Sequence, residues 1–319
     1  MENQNETEFT KEKINNIKKA KEYLKNIFKE KEDLIDLKYY NKIYNTSIKI
    51  CKEEEEADLF ITGISSLLFD IDNTEIFPNN LDNENLQRFL EECELDEDTA
   101  EYIIKVVKEI IEFKKSNFLN KPNSLEGKII EDAIRLNQLS AIEIGKIFRD
   151  NTDKIYYKNN ENENKENKSC IDKLNQIVFS IKDELNTKKG KEIGFNKIDF
   201  LLIFLKQFYK DIDEEDKVKF IDEIKEEVIK NKVKIYSKNV KKELFKMIET
   251  ERENEEKREN FKNQILNPFE RENIEKSFRK ERGLVEKKIL AKKKEIENKI
   301  NEYEEKLRIK EELNNNEEL

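Results

Sequence analysis

Glycine and proline are nearly missing from this chain, which has six and three of them among 319 residues. Sheet-rich proteins use both residues at tight turns, whereas helix interiors tolerate neither well. The charged fraction is 42%, well above the usual level, so the chain can bury only part of its length. The sequence therefore predicts an all-α fold with a limited core.

Apolar residues concentrate between about residues 34 and 212, which is enough sequence for one core of ordinary domain size. We therefore predict an N-terminal helix over 1–33, a helical domain over 34–212 and a charged helical extension over 213–319. Within the domain, the low-complexity polar stretch 157–168 is predicted to be a flexible insertion.

Helical periodicity runs through most of the domain. The segment 57–73 is apolar nearly all round, which is typical of a buried helix. Asp96 and Asp98 are typical of a helix start. Pro122 indicates a turn, after which one continuous helix is expected over 123–150.

The extension has weaker apolar patterning. Separate amphipathic helices are expected over 214–250, then the almost wholly charged stretch 250–262, and a long helix over about 270–313. Its heptad d positions would be Ile289, Ile296 and Tyr303, and its later a positions Ile300 and Leu307. The earlier a positions hold Glu286 and Lys293, so a weak coiled coil and a single solvated helix are both open.

Net charge and cysteine content indicate the kinds of partner and the cellular compartment to expect. The net charge of −10 and pI of about 5.2 argue against general nucleic-acid binding. The polar N-terminus and the lack of a long apolar run predict neither a signal peptide nor a membrane span. Three cysteines (Cys51, Cys93 and Cys170) without CxxC spacing favour a reducing compartment. We expect a soluble, cytoplasmic protein.

Several collinear segments resemble the compact bacterial HD-domain metal-dependent phosphohydrolases. Residues 126–142 read EGKIIEDAIRLNQLSAI, which is similar to the family stretch that contains D-A-D-R-L. Leu185-Asn186-Thr187 and the later Gln207-Phe208-Tyr209-Lys210 are similar to its closing helices. The resemblance covers about residues 34–212 and implies an HD-domain-like helical bundle.

The same resemblance places the family's metal ligands at positions that carry other residues. The HD pair falls on Phe69-Asp70, the preceding histidine on Tyr40 and the final acid on Ile134. A further family histidine falls near Lys114–Lys115. Asp132 and Arg135 remain as neighbours of these positions. The chain has no histidine at all.

Phenylalanine and isoleucine offer no lone pair to a metal, and HD-type chemistry needs a metal to produce hydroxide near neutral pH. The resemblance therefore implies a site without metal or cofactor. The alternative is a carboxylate-held Mg²⁺ that uses Asp70, Asp72 or Asp132.

A second motif competes for the same residues. The segment 67–74, LLFDIDNT, resembles the DxDxT nucleophile motif of haloacid-dehalogenase-type phosphatases. That fold needs alternating strands and helices downstream, and the sequence predicts none. The HD alignment also explains the neighbouring segments, so we favour it.

Three further charged residues have two interpretations each, and several aromatic and basic residues have one. Arg135 and Lys128 would either bind phosphate or form ion pairs. Asp132 would be a catalytic relic or an interior hydrogen-bonding residue, and Tyr39, Tyr40 and Tyr44 are expected to pack. The lysines 292–294 are expected on a solvated face.

The expected function is a catalytically inactive HD-like scaffold that binds a protein partner, or itself, through residues 214–319. The alternatives are a residual Mg²⁺-dependent phosphohydrolase acting on a nucleotide or small phosphoester, and a sensor that binds a nucleotide or another ligand in the former pocket without cleaving it.

Overall fold

The protein is described by a computed structural model. It covers residues 11–29, 37–74, 77–78, 83–116, 118–152, 156–157, 169–264 and 268–317. The predicted insertion therefore lies outside the described residues except for Tyr157.

The all-α prediction is confirmed, because the described residues contain helices and no strand. The helices are α1 Lys11–Ile27, α2 Leu37–Cys51, α3 Leu59–Leu68, α4 Glu84–Glu92, α5 Glu97–Lys115, α6 Leu125–Asn137, α7 Ala141–Arg149, α8 Cys170–Phe179, α9 Lys188–Lys197, α10 Asp199–Asp211, α11 Glu215–Gln264 and α12 Pro268–Glu317. A π-helical turn, Ser180–Glu184, continues α8. No helix in these ranges is long and apolar enough to cross a membrane.

The chain divides by internal contacts into Met1–Asp213 and Glu214–Leu319. In the first unit, α3 is buried on nearly every side, and α1, α2, α5 and α6 pack against it. Helix α1 belongs to this core through Ile17, Ala20 and Leu24. Helices α8 to α10 pack beyond α6, which contacts both α9 and the π-helical turn.

Side-chain caps explain the starts of six of the helices. Asp58, Asp96, Ser124, Ser140, Ser169 and Thr187 each accept a hydrogen bond from a backbone N–H of the helix that they precede. These bonds satisfy donors that a helix leaves unpaired at its N-terminus.

The continuous helix expected over 123–150 is wrong. Two helices, α6 and α7, are separated at 138–140, and the hydroxyl of Ser140 accepts a hydrogen bond from the N–H of Glu143 at 3.3 Å. Serine favours the N-cap position over the helix interior. Ser140 therefore starts a new helix, and α6 ends before it although the apolar periodicity continues.

In the second unit, the separate helices expected over 214–250 form one helix, α11, which extends through the charged stretch to Gln264. Neither glycine nor proline interrupts it. Among the described side chains, four ion pairs join α11 to α12: Lys262–Glu275 at 2.7 Å, Glu255–Arg282 at 2.9 Å, Arg258–Glu281 at 3.5 Å and Glu243–Lys292 at 3.6 Å. The heptad side chains from Ile296 onward lie outside the described residues, so the coiled coil stays a prediction.

Candidate functional site: a paired carboxylate at the HD positions

The four positions assigned to the HD ligands meet in the core of the first unit. Tyr40 lies on α2, Phe69 and Asp70 directly follow α3, and Ile134 lies on α6. All four are buried, and Asp70 is only 5% exposed. Tyr40, Phe69 and Ile134 belong to the same hydrophobic cluster. The fold thus brings together residues that are up to 94 positions apart in the sequence.

One oxygen of the Asp70 carboxylate has two partners. Its Oδ2 accepts a hydrogen bond from Tyr40 Oη at 3.2 Å. The same oxygen forms an ion pair with the ammonium of Lys114, which lies in the last turn of α5. The Asp70 side chain is 7% exposed and that of Lys114 is 28% exposed, so only the lysine reaches solvent to any extent.

Aromatic rings surround this ion pair. The Lys114 ammonium lies 4.9 Å from the centre of the Phe69 ring, within the range of a cation–π interaction. The ring of Tyr40 lies 5.6 Å from that of Phe69 and stacks on Phe28. Tyr39 contacts both Tyr40 and Phe69 edge-on. Aromatic rings therefore enclose much of the Asp70–Lys114 pair.

The two tyrosines beside Asp70 stay protonated because they are buried. Burial, aided by the nearby Asp70 carboxylate, raises the pKa of Tyr40 far above its ordinary value. Burial also raises the pKa of Tyr39, with a smaller contribution from Asp70. The Tyr40 phenol therefore keeps its proton and donates a hydrogen bond to Asp70, so Tyr40 does not offer the negative charge that would hold a cation.

The other two carboxylates considered for Mg²⁺ have separate structural roles. Asp72 accepts hydrogen bonds from the N–H groups of Asn85 and Leu86, both at 2.9 Å, and so caps the start of α4. Asp132 accepts from the N–H groups of Asn186 and Thr187, both at 2.8 Å, and from the Thr187 hydroxyl at 2.6 Å. Desolvation by burial raises the pKa of Asp132 despite these bonds.

Arg135 is enclosed by partners of its own. It is 3% exposed, pairs with Glu131 at 2.8 Å and with Glu184 at 2.5 Å, and donates to the hydroxyl of Ser180. Its guanidinium also donates to the carbonyl oxygen of Phe118 at 3.3 Å. This geometry fits the ion-pair interpretation of Arg135, because phosphate binding would require these partners to separate.

These residues do not fit the metal that the HD resemblance implies. Of the four positions, Asp70 alone carries a carboxylate, and an ammonium already neutralises it. Phe69 and Ile134 present carbon only. Elsewhere in the described part of the chain, no three His, Cys, Asp or Glu side chains come close enough to hold a metal ion.

Sequence reasoning missed the pairing of Lys114 with Asp70. The alignment placed Lys114–Lys115 at a lost histidine, but it gave no role to either lysine. A signal was present in the helical period: Lys114 lies seven residues, or nearly two turns, after the buried Val107. That spacing places Lys114 beside the buried stripe of α5, whereas Lys115 is exposed.

No family model matches the chain. It is 25% identical over 162 residues to the uncharacterized protein YpgQ of Bacillus subtilis, which is 50% of this chain and 76% of that protein.

YpgQ is also among the solved structures that resemble this chain. The crystal structure of YpgQ covers 63% of this chain and 97% of its own, with 19% identity and a TM-score of 0.49. YpgQ in complex with ADP gives 19% identity, the same 63%, 96% of its own chain and a TM-score of 0.48. An HD-superfamily hydrolase from Bacillus thuringiensis gives 20% identity, 63% and 98% coverage and a TM-score of 0.48.

The all-α fold agrees with an HD-like arrangement, and the four HD positions meet in one core. The sequence match to YpgQ spans half of the chain.

Proposed function

We propose that this chain is an HD-like protein that has lost HD-type hydrolysis and acts as a protein-interaction module. The observation that carries the proposal is the state of Asp70, whose carboxylate is held by Lys114 and Tyr40. A divalent cation would have to displace an ammonium from Asp70. It would then find no lone pair on Phe69 or Ile134.

The contact surface proposed for the partner lies on α11 and α12. Five large apolar side chains there are between 48% and 69% exposed: Phe245, Ile248, Phe261, Leu284 and Leu290. A groove of about 370 Å³ on the same pair of helices is lined by Met247, Thr250 and Val285, with charged residues at its border. Exposed apolar side chains of this size are typical of interaction surfaces. The partner would be another protein or a second copy of this chain.

The first experiment measures metal content and hydrolysis. The full chain is purified without a histidine tag, and its metal content is measured by mass spectrometry. A panel of nucleotides and phosphoesters is assayed with Mg²⁺ and Mn²⁺. The proposal expects no stoichiometric metal and no turnover. Turnover that disappears in Asp70→Ala would instead establish the residual phosphohydrolase.

The second experiment tests the contact surface by sedimentation and cross-linking of the full chain. Phe245→Glu with Leu290→Glu should abolish self-association or partner binding while the helical content stays the same. The matched control is Asn263→Glu with Ser277→Glu, which adds the same charge at exposed polar positions of the same two helices. Equal loss in both double variants would contradict a specific apolar contact.

A nucleotide sensor is the second candidate, because YpgQ has been crystallised with ADP. The measurement is a thermal shift of the full chain with ADP, with adenosine as the control that lacks phosphates. Stabilisation by ADP but not by adenosine, without turnover, would favour the sensor over the scaffold.

A further inference from the structure

The Asp70 carboxylate has an unusual setting for a charged group. Its side chain is 7% exposed and lies among the rings of Tyr40 and Phe69. Burying a carboxylate is unfavourable unless a counter-charge and hydrogen bonds accompany it. The fold therefore needs a positive charge at this point.

Lys114 supplies that charge from a different helix than those that carry the HD positions. Its side chain extends from the last turn of α5 to Asp70, and its ammonium also faces the Phe69 ring at 4.9 Å. Phe69 has no lone pair, but the negative face of its ring attracts a cation. The ammonium thus contacts both residues of the former HD pair.

We propose that the Lys114 ammonium takes the place of the divalent cation for which these positions are arranged. It holds Tyr40, Phe69 and Asp70 in place without a metal ion. The inference rests on the proposed loss of metal, but it adds a specific residue and a measurable energetic coupling. Lys114 acts as a positioning residue that fixes the ends of α3 and α5 around Asp70.

The two partners should differ in their sensitivity to substitution. Lys114→Met leaves the short, buried Asp70 side chain without a counter-charge. Asp70→Asn leaves a lysine that is 28% exposed and whose long stem can carry the ammonium into water. Losing the lysine should therefore destabilise the fold more than losing the carboxylate.

The test is a double-mutant cycle on the full chain, measured by urea unfolding with and without EDTA. We expect Lys114→Met to lower the folding equilibrium constant by at least about tenfold, since it strands a buried charge. In the Asp70→Asn background, the same change should cost less than about threefold. Lys115→Met is the matched control, an exposed lysine next in the chain. EDTA should change nothing in the unsubstituted protein.

If Lys114→Met does not fold alone, recovery of folding in Lys114→Met with Asp70→Asn gives the same evidence for coupling. Equal, small effects of Lys114→Met and Lys115→Met would overturn the inference and leave the proposed function untouched. Equal costs of Lys114→Met in both backgrounds would also overturn it. Destabilisation of the unsubstituted protein by EDTA, with stoichiometric metal present, would overturn both proposals together.

Discussion

At the scale of single residues, Gly190 leaves the space that the Asp132 carboxylate occupies. A Cβ atom at position 190 would lie 2.7 Å from Thr187 Oγ1 and closer still to Asp132 Oδ2. We expect Gly190→Ala to destabilise the protein by about 1–3 kcal/mol, as overpacking of a rigid site does. Chemical denaturation measures the change.

The matched control is Gly145→Ala in α7, where nothing lies within 4 Å of the added Cβ. That substitution should be neutral or stabilising, because alanine favours helix more than glycine. If Gly190→Ala were as harmless as Gly145→Ala, the close packing of position 190 against Asp132 would be wrong.

Asp132 itself should give the folding free energy a pH dependence. Burial raises its pKa in the folded protein, so the folded state binds this proton more tightly than the unfolded state. Its contribution is therefore fully present below the ordinary carboxyl pKa and is lost as pH rises towards the raised folded value. We expect unfolding titrations of Asp132→Asn to lack this decline.

The control for that titration is Asp150→Asn. Its exposed carboxylate pairs with Arg149 at 2.7 Å, which lowers the pKa of Asp150. A lowered pKa stabilises the folded state at pH values above the ordinary carboxyl pKa. Removing the Asp150 carboxylate therefore removes a pH dependence of the folding free energy whose sign is opposite to that of Asp132. The same pH profile for both variants would contradict the assigned direction at Asp132.

At the scale of elements, the π-helical turn after α8 places Ser180 and Glu184 around Arg135. Arg135→Lys keeps the charge, but it loses the planar fork that serves several acceptors at once. We expect a cost of about 1–3 kcal/mol and faster hydrogen exchange within Ser180–Glu184. Arg149→Lys, at an exposed ion pair, should leave both quantities nearly unchanged.

The helix content and the capped start of α5 could be predicted from the sequence, because apolar spacing and the Asp96 cap determine structure through neighbouring residues. Sequence reasoning missed α9, whose Gly190 and Gly194 are poor helix formers that close packing requires. The HD positions were found through the family segments. The pairing of Lys114 with Asp70 depends on α3 and α5 meeting in space, and local patterns do not report that contact.

At the scale of the whole molecule, the two units differ in what stabilises them. The first unit buries a continuous apolar core. In the described side chains of the second, ion pairs link α11 to α12, and Phe261 and Phe278 give a ring contact at 6.5 Å. Solvent-exposed ion pairs are weak and are screened by salt, whereas apolar burial is not.

We therefore expect hydrogen exchange to separate the units by salt dependence. Raising NaCl from about 0.05 to 1 M shortens the Debye length from over 10 Å to about 3 Å, so exchange within 243–262 and 275–292 should accelerate severalfold. The amides of α6, with Ile129, Ile130 and Ala133 buried, are the internal control and should not accelerate. If exchange in α11 and α12 did not accelerate either, contacts other than these ion pairs would hold the two long helices together.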